Sequence, residues 1–141
     1  MRAINIPLNL VNLQDDGFHL LVEVVVFNET HFAVLDTGAS RSVFDKALIE
    51  KHLAETLKVS DEINAATLFT TTTTIQATIP EVKIGSLKIK QYETVAFDLQ
   101  SVSDTYRQFG HPPISCIIGG DILVEYKAII NYDKMLLKLY K

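Results

Sequence analysis

Apolar and polar residues alternate at period two along most of this chain, the spacing of half-buried β-strands. Ile4, Ile6, Leu8 and Leu10 mark the first such strand. The turn signal Asp15-Asp16-Gly17 precedes a β-branched-rich strand over Phe18 to Phe27. Asn28-Glu29-Thr30 turns the chain into the apolar run Phe32 to Leu35. After Ser42-Val43-Phe44 the period changes. Ala47, Leu48, Leu53, Ala54 and Leu57 recur at helical spacing up to Lys58, with Asp45 as the expected N-cap.

Strand character then returns. Thr67 to Ile79 is threonine-rich, with five consecutive threonines at 70–74, and suits an exposed hairpin. Val82 to Ile84 and Leu87 to Ile89 flank the hairpin signal Gly85-Ser86, and strand pattern resumes over Val95 to Leu99. Gln100 to Pro113 reads as a polar, turn-rich loop. Ile114 to Ile118 reads as a buried strand, Asp121 to Tyr126 as a short helix, and Ala128 to Leu139 as a hairpin around Asp133-Lys134. Many short strands with one or two short helices predict a mainly β, closed antiparallel barrel. There is no internal repeat and no linker, so residues 1–141 are expected to form one domain.

Composition removes several classes of function. A net charge of −4 without a Lys/Arg cluster argues against nucleic acid as a partner. No stretch reaches the length of a membrane span, and the start has no apolar segment of leader length. Cys116 is the only cysteine, so no intramolecular disulfide forms; flanked by Ile114, Ile117 and Ile118, it is expected to be a buried apolar residue. These features suggest a cytoplasmic protein that needs neither membrane nor cofactor. His19, His31, His52 and His111 lack metal-ligand spacing, so no metal is expected.

The densest chemistry lies at Asp36-Thr37-Gly38, directly after Ala33-Val34-Leu35 and before Ala39-Ser40. An apolar strand ending in a carboxylate, a hydroxyl and a glycine predicts a carboxylate held at a buried turn, where a charge is costly unless hydrogen-bonded, paired or used. An aspartate in such a turn also suits plain capping of backbone amides. Ser40 and Ser42 have no nucleophile-elbow context. Arg41 reads as a surface arginine within reach of substrate acids, and Asp121 as a helix N-cap.

The stretch Ala33 to Ser40 resembles the catalytic loop of the retropepsin-like aspartic peptidases. Ile114-Ser115-Cys116-Ile117-Ile118-Gly119-Gly120-Asp121-Ile122-Leu123 is similar to that family's second signature, and Tyr126 to Leu139 to the closing hairpin of its bacterial members. The resemblance spans roughly residues 17 to 140 and implies a closed acid-protease barrel that hydrolyses peptide bonds. Metal-free hydrolysis of this kind uses two carboxylates that share one proton, one accepting from water and one donating to the carbonyl. This chain has a single Asp-Thr-Gly, so the second carboxylate must come from a second copy across a two-fold axis. The resemblance makes Asp36 the catalytic residue. Thr37 would interlock the two loops and Gly38 would support the loop. Gly38, Ala39, Ile117 and Ile118 would contact a polypeptide substrate.

The family's flap corresponds to the threonine-rich hairpin between Asn64 and Gln76. It lacks the usual tip glycines, since none occurs between Gly38 and Gly85. Gly120 and Asp121 stand where viral enzymes carry a basic and a polar residue. These departures keep a second expectation open, a retropepsin-like module that binds peptide or dimerises without hydrolysis.

Overall fold

The computed structural model describes residues 1–53, 58–59 and 75–141. Its strands are β1 (Ala3–Pro7), β2 (Asn9–Asn12), β3 (Phe18–Val26), β4 (Glu29–Leu35), β5 (Val43–Asp45), β6 (Lys58–Val59), β7 (Ile75–Ile84), β8 (Leu87–Phe97), β9 (Ile114–Ile118), β10 (Ile129–Asn131) and β11 (Leu136–Tyr140). The helices are α1 (Lys46–Leu53), α2 (Gln100–Gln108) and α3 (Gly120–Glu125). The larger sheet runs β2-β3-β4-β9-β5-β8-β7-β6, and pairing of β3 with β7 through Val25–Lys83 and Val26–Val82 closes six of its strands into a barrel. A smaller sheet, β1-β11-β10, packs its apolar face on the same core.

The alternation seen in the sequence sets the inward faces. Leu20, Val22, Val24 and Val26 of β3 point to the core with Ile79, Val82 and Ile84 of β7. Each fully buried side chain of this size contributes roughly 1.5–3 kcal/mol relative to leaving it in water. Leu21 points the other way, into a second cluster with Val11, Leu13, Tyr106 and Ile114. The β7–β8 hairpin turns at Gly85-Ser86 as expected, with Gly85 at φ 59°, and the β10–β11 hairpin brackets Asp133-Lys134. Cys116 is fully buried, and burial raises its thiol pKa well above the ordinary value.

Two sequence expectations are corrected. Gln100 to Pro113 is not a continuous loop, because residues 100–108 form α2. Its inward residues Ser103 and Tyr106 recur at helical spacing after Leu99, and Asp98 Oδ1 accepts from Gln100 N at 2.9 Å at the helix start. Asp45 ends β5 directly before α1, at the position expected for its N-cap, and its Oδ1 accepts from Leu99 N at 3.0 Å, which links β5 to the start of α2. Lys58 belongs to a strand rather than a helix. The expected helix over residues 54–57 and the threonine-rich run at 70–74 lie outside the described residues.

Helix α1 is tied to the barrel by a charged cluster. Glu29 Oε1 faces His52 Nε2 at 3.1 Å and His31 Nε2 at 3.3 Å, while Lys51 Nζ lies 3.7 Å from Glu29 Oε2. The His52 bond, helped by Lys51 and His31, lowers the Glu29 pKa. Phe27 stacks on the His52 ring at 4.3 Å.

Candidate active site

Strand order explains where the Asp-Thr-Gly loop goes. β9 inserts between β4 and β5, parallel to β4 and antiparallel to β5, so the β4–β5 connection must arch over its C-terminal end. That connection is residues 36–42, and the end it crosses is Gly119. Asp36 N donates to Ile118 O at 3.0 Å, and Gly120 N donates to Ala39 O at 2.7 Å. A Cβ on Gly119 would stand 2.7 Å from the carbonyl oxygens of both Ala39 and Arg41, so only glycine fits beneath the arch.

The front of the loop is open. Asp36, Thr37 and Gly38 are exposed, contrary to the buried turn expected from the apolar flanks. The apolar run ends at Leu35, which is buried, and the chain leaves the barrel at the next residue. Asp36 Oδ1 accepts from Gly38 N at 2.9 Å, which fixes the carboxylate on its own turn. Ala39 is half-buried. Ile117 is also half-buried, whereas Ile118 is fully buried in the core beneath the loop. The loop and the end of β9 therefore bring Asp36, Thr37, Gly38, Ala39, Ile117 and Ile118 together.

The back of the loop is closed by a network that sequence spacing did not reveal. Asp121 Oδ1 accepts from Ser42 N at 2.8 Å and from Ser42 Oγ at 2.7 Å. Ser42 Oγ accepts in turn from Gly119 N at 2.8 Å. Tyr92 OH donates to Asp121 Oδ2 at 2.7 Å, and Thr94 Oγ1 reaches Ser42 O at 3.4 Å. Partial burial pushes the Asp121 pKa up, but the bonds from Ser42, Tyr92 and the backbone outweigh it and leave the carboxyl below its ordinary value. Asp121 is not the N-cap of α3; that residue is Gly119, and Asp121 sits in the first turn facing the loop.

Two neighbours complete the surroundings. Arg41, Gln76, Thr78, Glu93, Thr94 and Val95 line a cleft of about 290 Å³ beside the loop. On the other side, His19 Nδ1 lies 2.6 Å from Tyr106 OH. Burial, aided by the charge of Asp36, pushes the Tyr106 phenol up to about 12. Among the described residues no group of three or more His, Cys, Asp or Glu could hold a metal ion. No helix among them is long and apolar enough to cross a membrane.

A barrel whose β4–β5 loop carries Asp-Thr-Gly over an Ile-Ile-Gly strand end is the arrangement of retropepsin-like acid proteases. The comparisons agree. Residues 22–122 match the model of the family described as aspartyl protease, and the chain belongs to that family. A retropepsin-like aspartic protease from Rickettsia conorii has a similar fold, with a TM-score of 0.61 at 23% identity, over 99% of this chain and 91% of that one. The retroviral protease-like domain of Ddi1 from Leishmania major superposes with a TM-score of 0.58 at 17% identity, over 86% of this chain and 87% of that one. No match is found among curated proteins.

Proposed function

We propose that the protein is an aspartic endopeptidase that acts as a homodimer, with one Asp36 from each chain forming the catalytic pair. The observation that carries this reading is the contrast within one loop. Asp36 is held on its own turn and supported from below, yet its outer face is open and meets no second carboxylate among the described residues of its chain. A two-fold axis beside this face would bring the two Asp36 carboxylates together. Like charges at that distance cannot both ionise, so one carboxyl keeps a proton for the scissile carbonyl while its partner takes one from water. Thr37, exposed beside Asp36, is the group to bridge to the partner's loop. Gly38 and Ala39 would receive the substrate backbone, and Ile117 would contribute an apolar wall above Ile118.

The substrate class is polypeptide in extended form, bound by strand-like backbone hydrogen bonds. The lone, buried Cys116 thiol suits a reducing, cytoplasmic setting.

The test is incubation of wild type and Asp36→Asn with a diverse peptide library from about pH 3 to 8, which brackets carboxylate-pair titration, with cleavage read by mass spectrometry. Cleavage by wild type alone is expected. Cleavage by neither, with both proteins folded and dimeric, would replace this reading with a peptide-binding module.

A further inference from the structure

We propose that Tyr92 and Asp121 are positioning residues for Asp36, acting through Ser42, and that ionised Asp121 is the form that does so. This inference rests on the peptidase reading of the Asp36 loop and adds residues to it. The loop has two feet. At the first, Asp36 N bonds to Ile118 O, at the end of β9. At the second, Ser42 is held by its backbone N–H and its hydroxyl, both donating to one oxygen of Asp121. The hydroxyl has donated its only proton to Asp121, so its lone pairs are free to receive Gly119 N–H. The chain of bonds has one direction, from Gly119 to Ser42 to Asp121, and an acceptor-only carboxylate is what terminates it.

Tyr92 completes the arrangement from β8. Its hydroxyl occupies the other carboxylate oxygen at 2.7 Å, so the carboxylate cannot turn away from Ser42 without breaking this bond. The titratable groups facing Asp121 are Tyr92 from β8 and Cys116 from β9. Both stay neutral, and no cation among the described residues pairs with Asp121. Hydrogen-bond donors alone hold the charge. Protonating Asp121 would remove the strongest acceptor for Ser42 and release the second foot of the loop. Small displacements of a catalytic group are costly to turnover, so this release would be read at Asp36.

Four proteins test this: wild type, Tyr92→Phe, Asp121→Asn and Asp121→Ala, compared by steady-state kinetics across pH and by amide hydrogen exchange. Tyr92→Phe should lower kcat by about threefold to tenfold, the worth of one hydrogen bond of ordinary net strength, with KM little changed. The Ser42 and Gly119 amides should exchange faster in it. Asp121→Ala should lose more than Tyr92→Phe. Asp121→Asn is neutral like the protonated acid and offers Ser42 a weaker acceptor, so it should lose activity at every pH, though less than Asp121→Ala. It should also make the acid limb of kcat/KM shallower, because one of the protons that inactivates wild type no longer has a site.

Unchanged kcat and unchanged exchange in Tyr92→Phe would overturn the proposal. So would faster exchange with wild-type kcat, since the network would then be only a brace. An Asp121→Asn variant as active as wild type would also overturn it, since the charge would then not be needed. If wild type shows no turnover, the peptidase reading fails separately. Exchange at Gly38 and Ala39 then decides this proposal: faster exchange in Tyr92→Phe upholds it, and unchanged exchange overturns it.

Discussion

The two faces of the loop over residues 36–42 are built differently. Behind it, Ser42, Gly119, Asp121 and Tyr92 form a set of short hydrogen bonds within one chain. In front, Asp36, Thr37 and Gly38 are exposed, and the carboxylate is supported by its own turn. The difference separates two tasks. Positioning is completed within the single chain, whereas on the proposed reading the chemistry waits for groups from outside it.

The largest test of that division is Asp36→Asn. It should abolish cleavage while leaving the melting temperature and the dimer intact, because the amide can still accept from Gly38 N but cannot act as a base. Unfolding on this change would show that the front of the loop is structural too. Dilution comes next. If the partner supplies the second carboxylate, specific activity should fall as enzyme concentration drops below the dimer dissociation constant; activity independent of concentration would mean a complete site in one chain.

Gly119→Ala attacks the back instead. The added methyl group would meet two backbone carbonyl oxygens at 2.7 Å, and backbone cannot swing aside as a flexible side chain can. A loss of about 1–3 kcal/mol in urea unfolding is expected, typical of overpacking, together with lost activity. Wild-type stability would show that the arch can lift.

The smallest effect concerns pH. Glu29 and Asp121 both have lowered pKa values in the folded state. Their contributions are therefore present above the ordinary carboxylate range and fade as pH falls through the lowered values. The cluster on Glu29 is partly exposed, so screening keeps its share small. Melting temperatures should drop in acid, and the drop should be slightly shallower for Glu29→Gln than for wild type. Identical profiles would show that the Glu29 cluster does not stabilise the attachment of α1.

Much of the fold was readable because it is written locally. Gly85-Ser86 and Asp133-Lys134 sit where hairpins turn, and Leu20, Val22, Val24 and Val26 alternate where β3 faces the core. Asp-Thr-Gly and Ile-Ile-Gly were legible as separate segments, and the structure stacks them. Helix α2 was missed because most of its residues are polar and Pro112-Pro113 lies just beyond it. Only the spacing of Leu99, Ser103 and Tyr106 marked its inward side. The network behind the loop was not legible for a different reason. Ser42, Tyr92 and Asp121 meet from three distant parts of the chain, and no spacing rule links them. The exposure of Asp36 could not be read from its apolar flanks, since they describe the strand beneath the loop and say nothing of its far side.

The parallel pairing of β4 with β9 also bears on how the molecule is made. Leu35 lies beside Ile118, and the loop that follows rests on Gly119 and Gly120, so its supports are separated from it by most of the chain. Contacts of such long sequence range form late, after loop-closure entropy has been overcome. A growing chain that has passed Asp36 but not yet Asp121 has the carboxylate and nothing beneath it. During synthesis the loop therefore stays without its floor until the segment through Asp121 has left the ribosome.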